Sequence, residues 1–218
     1  MKNNIKRIMY LMIVIISLIT LTGCFDKVYD KASEKLNARN DKAISLGSWE
    51  NDVYTNDFLN LRYTKKEGWE RYSDEQIAEL LDVGSEYLSD NNKYMTEVAK
   101  LTTVTYLMAS DPNTNSNVIL MTEKTAIAGI DVNKYLSTLK TNLSSNENLN
   151  YEFEDIKKQT INGVSYTVLE AKVSTNGVNM FQKYYVRKQD KYFVGIIVTS
   201  TVSEEELDSI ANDFEKLN

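Results

Sequence analysis

The chain has 218 residues, with 31 acids against 25 bases for a formal charge of −6, one cysteine and no histidine. Without histidine there is no Ser-His-Asp triad, no Cys-His dyad and no histidine-ligated zinc or haem. An acidic chain repels phosphate backbones, so nucleic acid is not an expected partner. Neither GxGxxG nor GxxxxGK[ST] occurs in the sequence, so no phosphate-cradling nucleotide site is predicted and no cofactor is implied.

The chain begins with Lys2, Lys6 and Arg7 and continues through an apolar run from Ile8 to Leu21. Charge followed by apolar residues is the order of a secretory signal. A membrane-spanning helix needs about 20 apolar residues. This run is shorter, so a cleaved export signal is the expected reading. Past it the chain turns polar, with Asp26, Lys27, Asp30, Lys31, Glu34 and Lys35.

The run ends in Leu21-Thr22-Gly23-Cys24, which resembles the lipobox of bacterial lipoproteins. The resemblance implies cleavage between Gly23 and Cys24 and a diacylglyceryl group on the Cys24 thiol. Two acyl chains give the stable membrane anchoring that one does not. The expected location is therefore the outer face of the cytoplasmic membrane, with the membrane as a partner through the lipid anchor. Residues 1–23 hold three bases and no acid, so the mature chain carries 22 bases against 31 acids, a formal charge of −9. With Cys24 lipidated no thiol remains for disulfides or metal ligation, and the domain must rest on its core. The Lys- and Asn-rich composition points to an AT-rich, low-GC Gram-positive source.

Residues 25–47 are charge-rich and read as a polar tether, so the expected division is signal peptide 1–23, tether 24–47 and domain 48–218. An amphipathic helix is the other reading, because Phe25, Val28, Tyr29, Ala32 and Leu36 fall at helical spacing. From Val53 to Thr64 two short strands are predicted around Thr55-Asn56-Asp57. A helix is predicted from Ser73, with Ser73 and Gln76 as a capping box and Ile77, Leu80, Leu81, Gly84, Tyr87 and Leu88 as one stripe. Thr103–Ala109 and Asn117–Lys124 form a predicted hairpin around the polar turn 110–116.

A second helix is predicted from the N-cap Asp131, with Val132, Tyr135, Leu136, Leu139 and Leu143 on one face. Four strands follow, over Tyr151–Gln159, Val164–Val173, Val178–Arg187 and Tyr192–Thr201. Asn162-Gly163 and Asn176-Gly177 are two-residue hairpin turns, so the segment is an antiparallel meander. A third helix is predicted from a Ser203–Glu206 capping box to the end of the chain, with Leu207, Ile210, Ala211, Phe214 and Leu217 on one face. The order is ββ-α-ββ-α-ββββ-α. It defines an α+β domain in which helices cover an antiparallel sheet.

This order, and the stretch from Asp52-Val53-Tyr54-Thr55-Asn56 through Leu59-Asn60-Leu61 to Gly68-Trp69, is similar to the domains of the PsbP/Mog1-like superfamily. The proline common there is absent, since Lys65-Lys66-Glu67 precedes Gly68. Over residues 48–218 the resemblance implies an α/β/α sandwich acting as a binding or assembly module.

One catalytic option open to a chain without histidine is a pair of carboxylates. Glu152, Glu154 and Asp155 read as a solvated strand face, and Glu204–Glu206 as helix-capping charge. Asp111, Asn113, Asn115 and Asn117 alternate oxygen-bearing side chains as a calcium loop does, but Ser116 stands where that loop needs glycine and Thr122 where it needs glutamate. Tyr184, Tyr185, Tyr192, Phe181 and Phe193 crowd one hairpin and read as strand packing rather than a binding surface. Trp49 and Trp69 are expected to wedge a helix against the sheet. The function read from the sequence is a non-enzymatic binding or assembly module for an extracytoplasmic protein. The alternative is a carboxylate-dependent hydrolase or a glycan-binding protein at the cell wall.

Overall fold

A computed structural model describes residues 45–80, 103–124, 130–145, 149–175 and 177–217. The expected signal with Gly23 and Cys24, the expected tether up to residue 44, the second half of the first helix stripe (Leu81, Gly84, Tyr87 and Leu88) and Asn176 of the second predicted turn lie outside the described residues.

Among the described residues the fold is α+β, with three helices and two antiparallel sheets. A small sheet has the order β1-β2-β3-β12, from Ser48–Glu50 (β1), Val53–Asn56 (β2), Leu61–Thr64 (β3) and Phe214–Lys216 (β12). The large sheet begins with Glu70–Arg71 (β4), Thr103–Ser110 (β5) and Asn117–Lys124 (β6). Its remaining strands are Asn150–Phe153 (β7), Lys157–Ile161 (β8), Val164–Thr175 (β9), Val178–Gln189 (β10) and Tyr192–Ser200 (β11). The order across it is β4-β5-β6-β11-β10-β9-β7, with β8 also on β9. Helix α1 covers 74–80 within the described residues, α2 is Val132–Ser144 and α3 is Glu205–Ala211.

Side-chain alternation gives the large sheet two apolar faces. One face carries Val118, Leu120, Tyr185 and Ile196 and packs on the small sheet and α3 through Tyr54, Leu61, Tyr63, Ile210 and Phe214. The other carries Ile119, Met121, Tyr184 and Ile197 and packs on α1 and α2 through Ile77, Leu136, Leu139 and Leu143. Burial on both faces explains why β11 carries no charge and is apolar from Tyr192 to Val198. The expected helical covering therefore holds on one face, and on the other a second sheet shares it with α3. Trp69 is buried in that inter-sheet core and Trp49 packs against it, rather than under a helix.

The local signals at two helices form as expected. Gln76 N–H donates to Ser73 Oγ and Ser73 N–H to Gln76 Oε1, closing a capping box. Asp131 Oδ1 accepts from Lys134 N–H at 2.8 Å, capping α2.

Four expectations are corrected. The first hairpin turns at 57–60, not at Thr55–Asp57, because Asn60 takes a positive φ of 51° and Asn56 Oδ1 captures Leu59 N–H. The predicted strand Tyr151–Gln159 is broken into β7 and β8. Tyr151 lies opposite Val173 and Lys157 opposite Val168, six steps along one strand against five along β9. One extra residue flips the facing, so Tyr151 and Phe153 face α2 while Ile161 faces α3.

The third helix stops at Ala211, and Phe214–Lys216 is a strand on β3. Tertiary partners take the carbonyls that a longer helix would need. Thr64 N–H bonds Asp213 O at 3.0 Å, and Asn162 Nδ2 donates to the carbonyls of Asn212 and Phe214 at 2.8 Å each. Finally, the Ser203–Glu206 capping box does not form. Glu204 is the N-cap and makes no side-chain cap bond, while Glu206 Oε2 accepts from the hydroxyls of Ser116 and Ser200.

Candidate functional site

A cleft of about 350 Å³ opens between the chain leading into β1, the start of α1 and β5. Its rim is fixed by residues just ahead of the first strand. Gly47 sits at φ +71°, and a Cβ there would lie 2.5 Å from Thr55 O and Tyr54 Oη. That close approach is open only to glycine. It lets Tyr54 Oη donate to Leu46 O at 2.7 Å, while the fully buried Asn56 donates from Nδ2 to Ser45 O at 3.0 Å and to Tyr54 Oη at 2.9 Å.

Trp49 follows on β1, with its ring 5.4 Å from Tyr54 and edge-on to Tyr63 at 6.1 Å. The Arg71 guanidinium covers it at 4.9 Å, so this ring is not a free platform for a sugar. Ile77, Ala78 and Asp74 supply the α1 wall, and Thr105 and Tyr106 supply the β5 wall. Tyr106 Oη pairs with Thr122 Oγ1 at 3.1 Å. Burial pushes the Tyr54 hydroxyl up to about 12 and raises that of Tyr106, so both stay neutral donors and neither is a base near neutral pH. The walls offer apolar area, fixed hydroxyls and the carboxylate of Asp74, a lining suited to recognition.

A second, shallower groove of about 490 Å³ runs along α2 beside Asp155 and Ile156. The hydroxyls of Ser137, Thr141 and Ser144 that line it donate back to carbonyls four residues earlier, so their protons are committed to the helix.

Glu170 on β9 and Asp208 on α3 come together on Lys183 of β10, whose Nζ lies 2.8 Å from Asp208 Oδ1 and also pairs with Glu170 Oε1. Lys157 adds an ion pair to Glu170 at 2.9 Å, and Gln159 and Tyr185 donate to Asp208. Burial opposes charge on both acids, but these bonds outweigh it and hold both carboxyls below their ordinary range. Neither can serve as the proton donor that glycoside cleavage requires.

Glu123 is the opposite case, since burial raises its carboxyl to about 7. It lies on the α2 side of the large sheet, with Phe193 and Met121, whereas Glu170 and Asp208 lie on the α3 side. The sheet separates Glu123 from the ionised pair. Burial also raises the carboxyl of Asp213, just after α3, against the opposing charge of Lys66 at 3.7 Å. Glu152, Glu154 and Asp155 are exposed, as the sequence suggested.

In the candidate calcium loop the side chains bond the loop itself. Asp111 Oδ1 accepts from Asn113 N–H at 2.8 Å, Asp111 Oδ2 from Thr114 Oγ1 at 3.1 Å, and Asn117 Nδ2 donates to Asn115 O. Among the described residues no group of three or more His, Cys, Asp or Glu is placed to hold a metal. Tyr184, Tyr185, Tyr192 and Phe193 are buried, and Phe181 packs on the core, so the aromatic hairpin is core rather than surface.

Sequence reasoning missed the cleft, because its walls come from four separated segments. The signal within reach was Gly47 beside Ser48-Trp49, a glycine whose purpose shows only once β2 lies against it.

No family model matches the chain, and no curated protein matches it. Among solved structures it is similar to cyanobacterial PsbP (CyanoP) from Synechocystis sp. PCC 6803. The identity is 10% and the TM-score 0.49, over 83% of this chain and 99% of that one. It is also similar to LpqN of Mycobacterium tuberculosis, described as involved in cell envelope biogenesis. Here the identity is 16% and the TM-score 0.39, over 71% of this chain and 82% of that one. At these scores the likeness carries nothing about ligands.

Proposed function

We propose that the chain is an extracytoplasmic lipoprotein, anchored through Cys24, whose PsbP/Mog1-like domain over residues 48–218 is a non-enzymatic binding or assembly module for a protein partner. The observation that carries the binding role is the cleft between Trp49, Tyr54, Ile77 and Tyr106, with its rim locked by Gly47, Tyr54 and Asn56. Its lining is aromatic and preorganised and has no acid–base pair among its residues, which suits recognition better than turnover. The sequence motif Leu21-Thr22-Gly23-Cys24 supports the anchor.

Both parts are testable in membranes of the native host. Cys24→Ser moves the protein out of the membrane fraction or leaves the uncleaved precursor; unchanged mass and unchanged extraction overturn the anchor. A photo-crosslinking residue at the exposed position Ala78 yields a discrete protein adduct, whereas one at Lys172, far along β9, does not. Equal yields from the two positions, or none from Ala78, overturn the assignment of the cleft.

A further inference from the structure

The buried acid Glu123 has no role in the cleft, yet its surroundings are specific. It is 3% exposed, one residue from the end of β6, where the chain leaves the sheet for α2. Its Oε2 accepts a hydrogen bond from Tyr135 Oη of α2 at 2.9 Å. The Tyr135 ring stacks on Phe193 of β11 at 4.1 Å and 22°, and Phe193 lies directly opposite Glu123.

The groups around it do not neutralise a charge. Thr103 of β5 stands opposite Glu123 on the other side, Met121 precedes it on the same face, and α1 brings Ile77 to the same core. Lys188 of β10 shares the face, but Phe193 stands between them, and Lys188 Nζ donates to Ile130 O at 2.6 Å. On α2, the Asp131 carboxylate is spent on capping and Lys134 is exposed. Among the described residues no lysine or arginine nitrogen forms an ion pair with Glu123. Burial in these surroundings disfavours the ionised form of the carboxyl.

We propose that Glu123 and Tyr135 form a pH-operated latch at the junction of β6 and α2, in which the neutral carboxyl keeps the first turns of α2 on the sheet and its ionisation releases them. On ionisation the carboxyl gives its proton to water, and the anion needs hydration or a cation. Both become available when Tyr135 lifts from Phe193, which opens the site to water and to Lys188. The sign follows from the raised carboxyl. The closed state is favoured at acid pH, loses ground from the ordinary carboxylate range upward, and reaches its full disadvantage above about 7.

Amide hydrogen exchange on the full chain in detergent, at pH 5 and pH 8 and corrected for intrinsic rates, tests the latch. In the wild type the protection of residues 132–144 falls tens-fold between the two pH values, while β10 and β11 keep theirs. Glu123→Gln preserves the neutral shape and bond, and its α2 protection is equal at the two pH values. The latch is overturned by a wild type without the fall, by Glu123→Gln retaining it, or by β11 losing protection in step with α2, which would make the opening global.

Discussion

The ring of Phe214 lies 4.7 Å from that of Tyr63, tilted by 33°, and the two residues are directly paired across β12 and β3. Phe214 is 1% exposed and reaches this position from a strand at the end of the chain. The contact closes the small sheet over the inter-sheet core.

Phe214→Ala removes a fully buried ring, a change that costs about 3–5 kcal/mol in a core, or on the order of 10 °C in Tm for a domain of this size. The neighbouring Glu215 makes an ion pair with Arg62 in which each side chain is 47% exposed. Such pairs are worth about 0–1 kcal/mol, so Glu215→Ala moves Tm by little. Thermal unfolding followed by circular dichroism separates the two; equal shifts would mean that β12 is not docked.

Lys183→Met leaves Glu170 buried without its closest cation. Breaking a buried pair costs about 3–5 kcal/mol, and Lys157, which remains beside Glu170, brings the expected loss toward about 3 kcal/mol. The pH dependence has a definite sign. Glu170 and Asp208 are held below their unfolded values, so their contribution is complete above the ordinary carboxylate range and disappears as pH falls through the folded values. Urea midpoints for wild type and variant thus converge as pH is lowered from 6 toward 3. A gap independent of pH would show that the loss comes from packing of the lysine stem.

Gly47 and Gly163 both have positive φ, at 71° and 82°. A Cβ at Gly47 would meet Thr55 O and the Tyr54 side chain, whereas at Gly163 nothing lies within 4 Å. Gly163→Ala therefore costs only the left-handed backbone penalty, about 1 kcal/mol. Gly47→Ala costs distinctly more, because either the Tyr54–Leu46 bond or the entry into β1 must give way. Equal urea midpoints for the two variants would remove the argument that Gly47 fixes the rim of the cleft.

Elements specified by neighbours in sequence were legible. The Ser73–Gln76 box, the Asp131 cap and the Asn162-Gly163 turn each depend on atoms a few residues apart, and each formed where residue types placed it. The meander followed, because two-residue turns force antiparallel neighbours. Ser203 and Glu206 had the same spacing as Ser73 and Gln76 yet formed no box, because the Ser116 and Ser200 hydroxyls, brought near by the sheet, compete for the Glu206 carboxylate. The Lys183 network and the position of Glu123 were likewise invisible, since each joins residues from separate strands and helices.

By itself the sequence determined the starts of α1 and α2, the turns at 110–116 and at Asn162-Gly163, the apolar faces and hence the α+β class, because these rest on backbone preferences and side-chain periodicity acting over a few residues. Only the tertiary structure decided that the end of the chain is a strand. Leu207, Ile210, Ala211, Phe214 and Leu217 satisfy helical spacing, and the alternative depends on distant β3 meeting this segment, with Phe214 packed opposite Tyr63. The extra residue between β7 and β8 and the closing of the cleft by Gly47 were settled in the same way. In each case a distant segment supplies the hydrogen-bond partners or the excluded volume, and no local pattern records where that segment will lie.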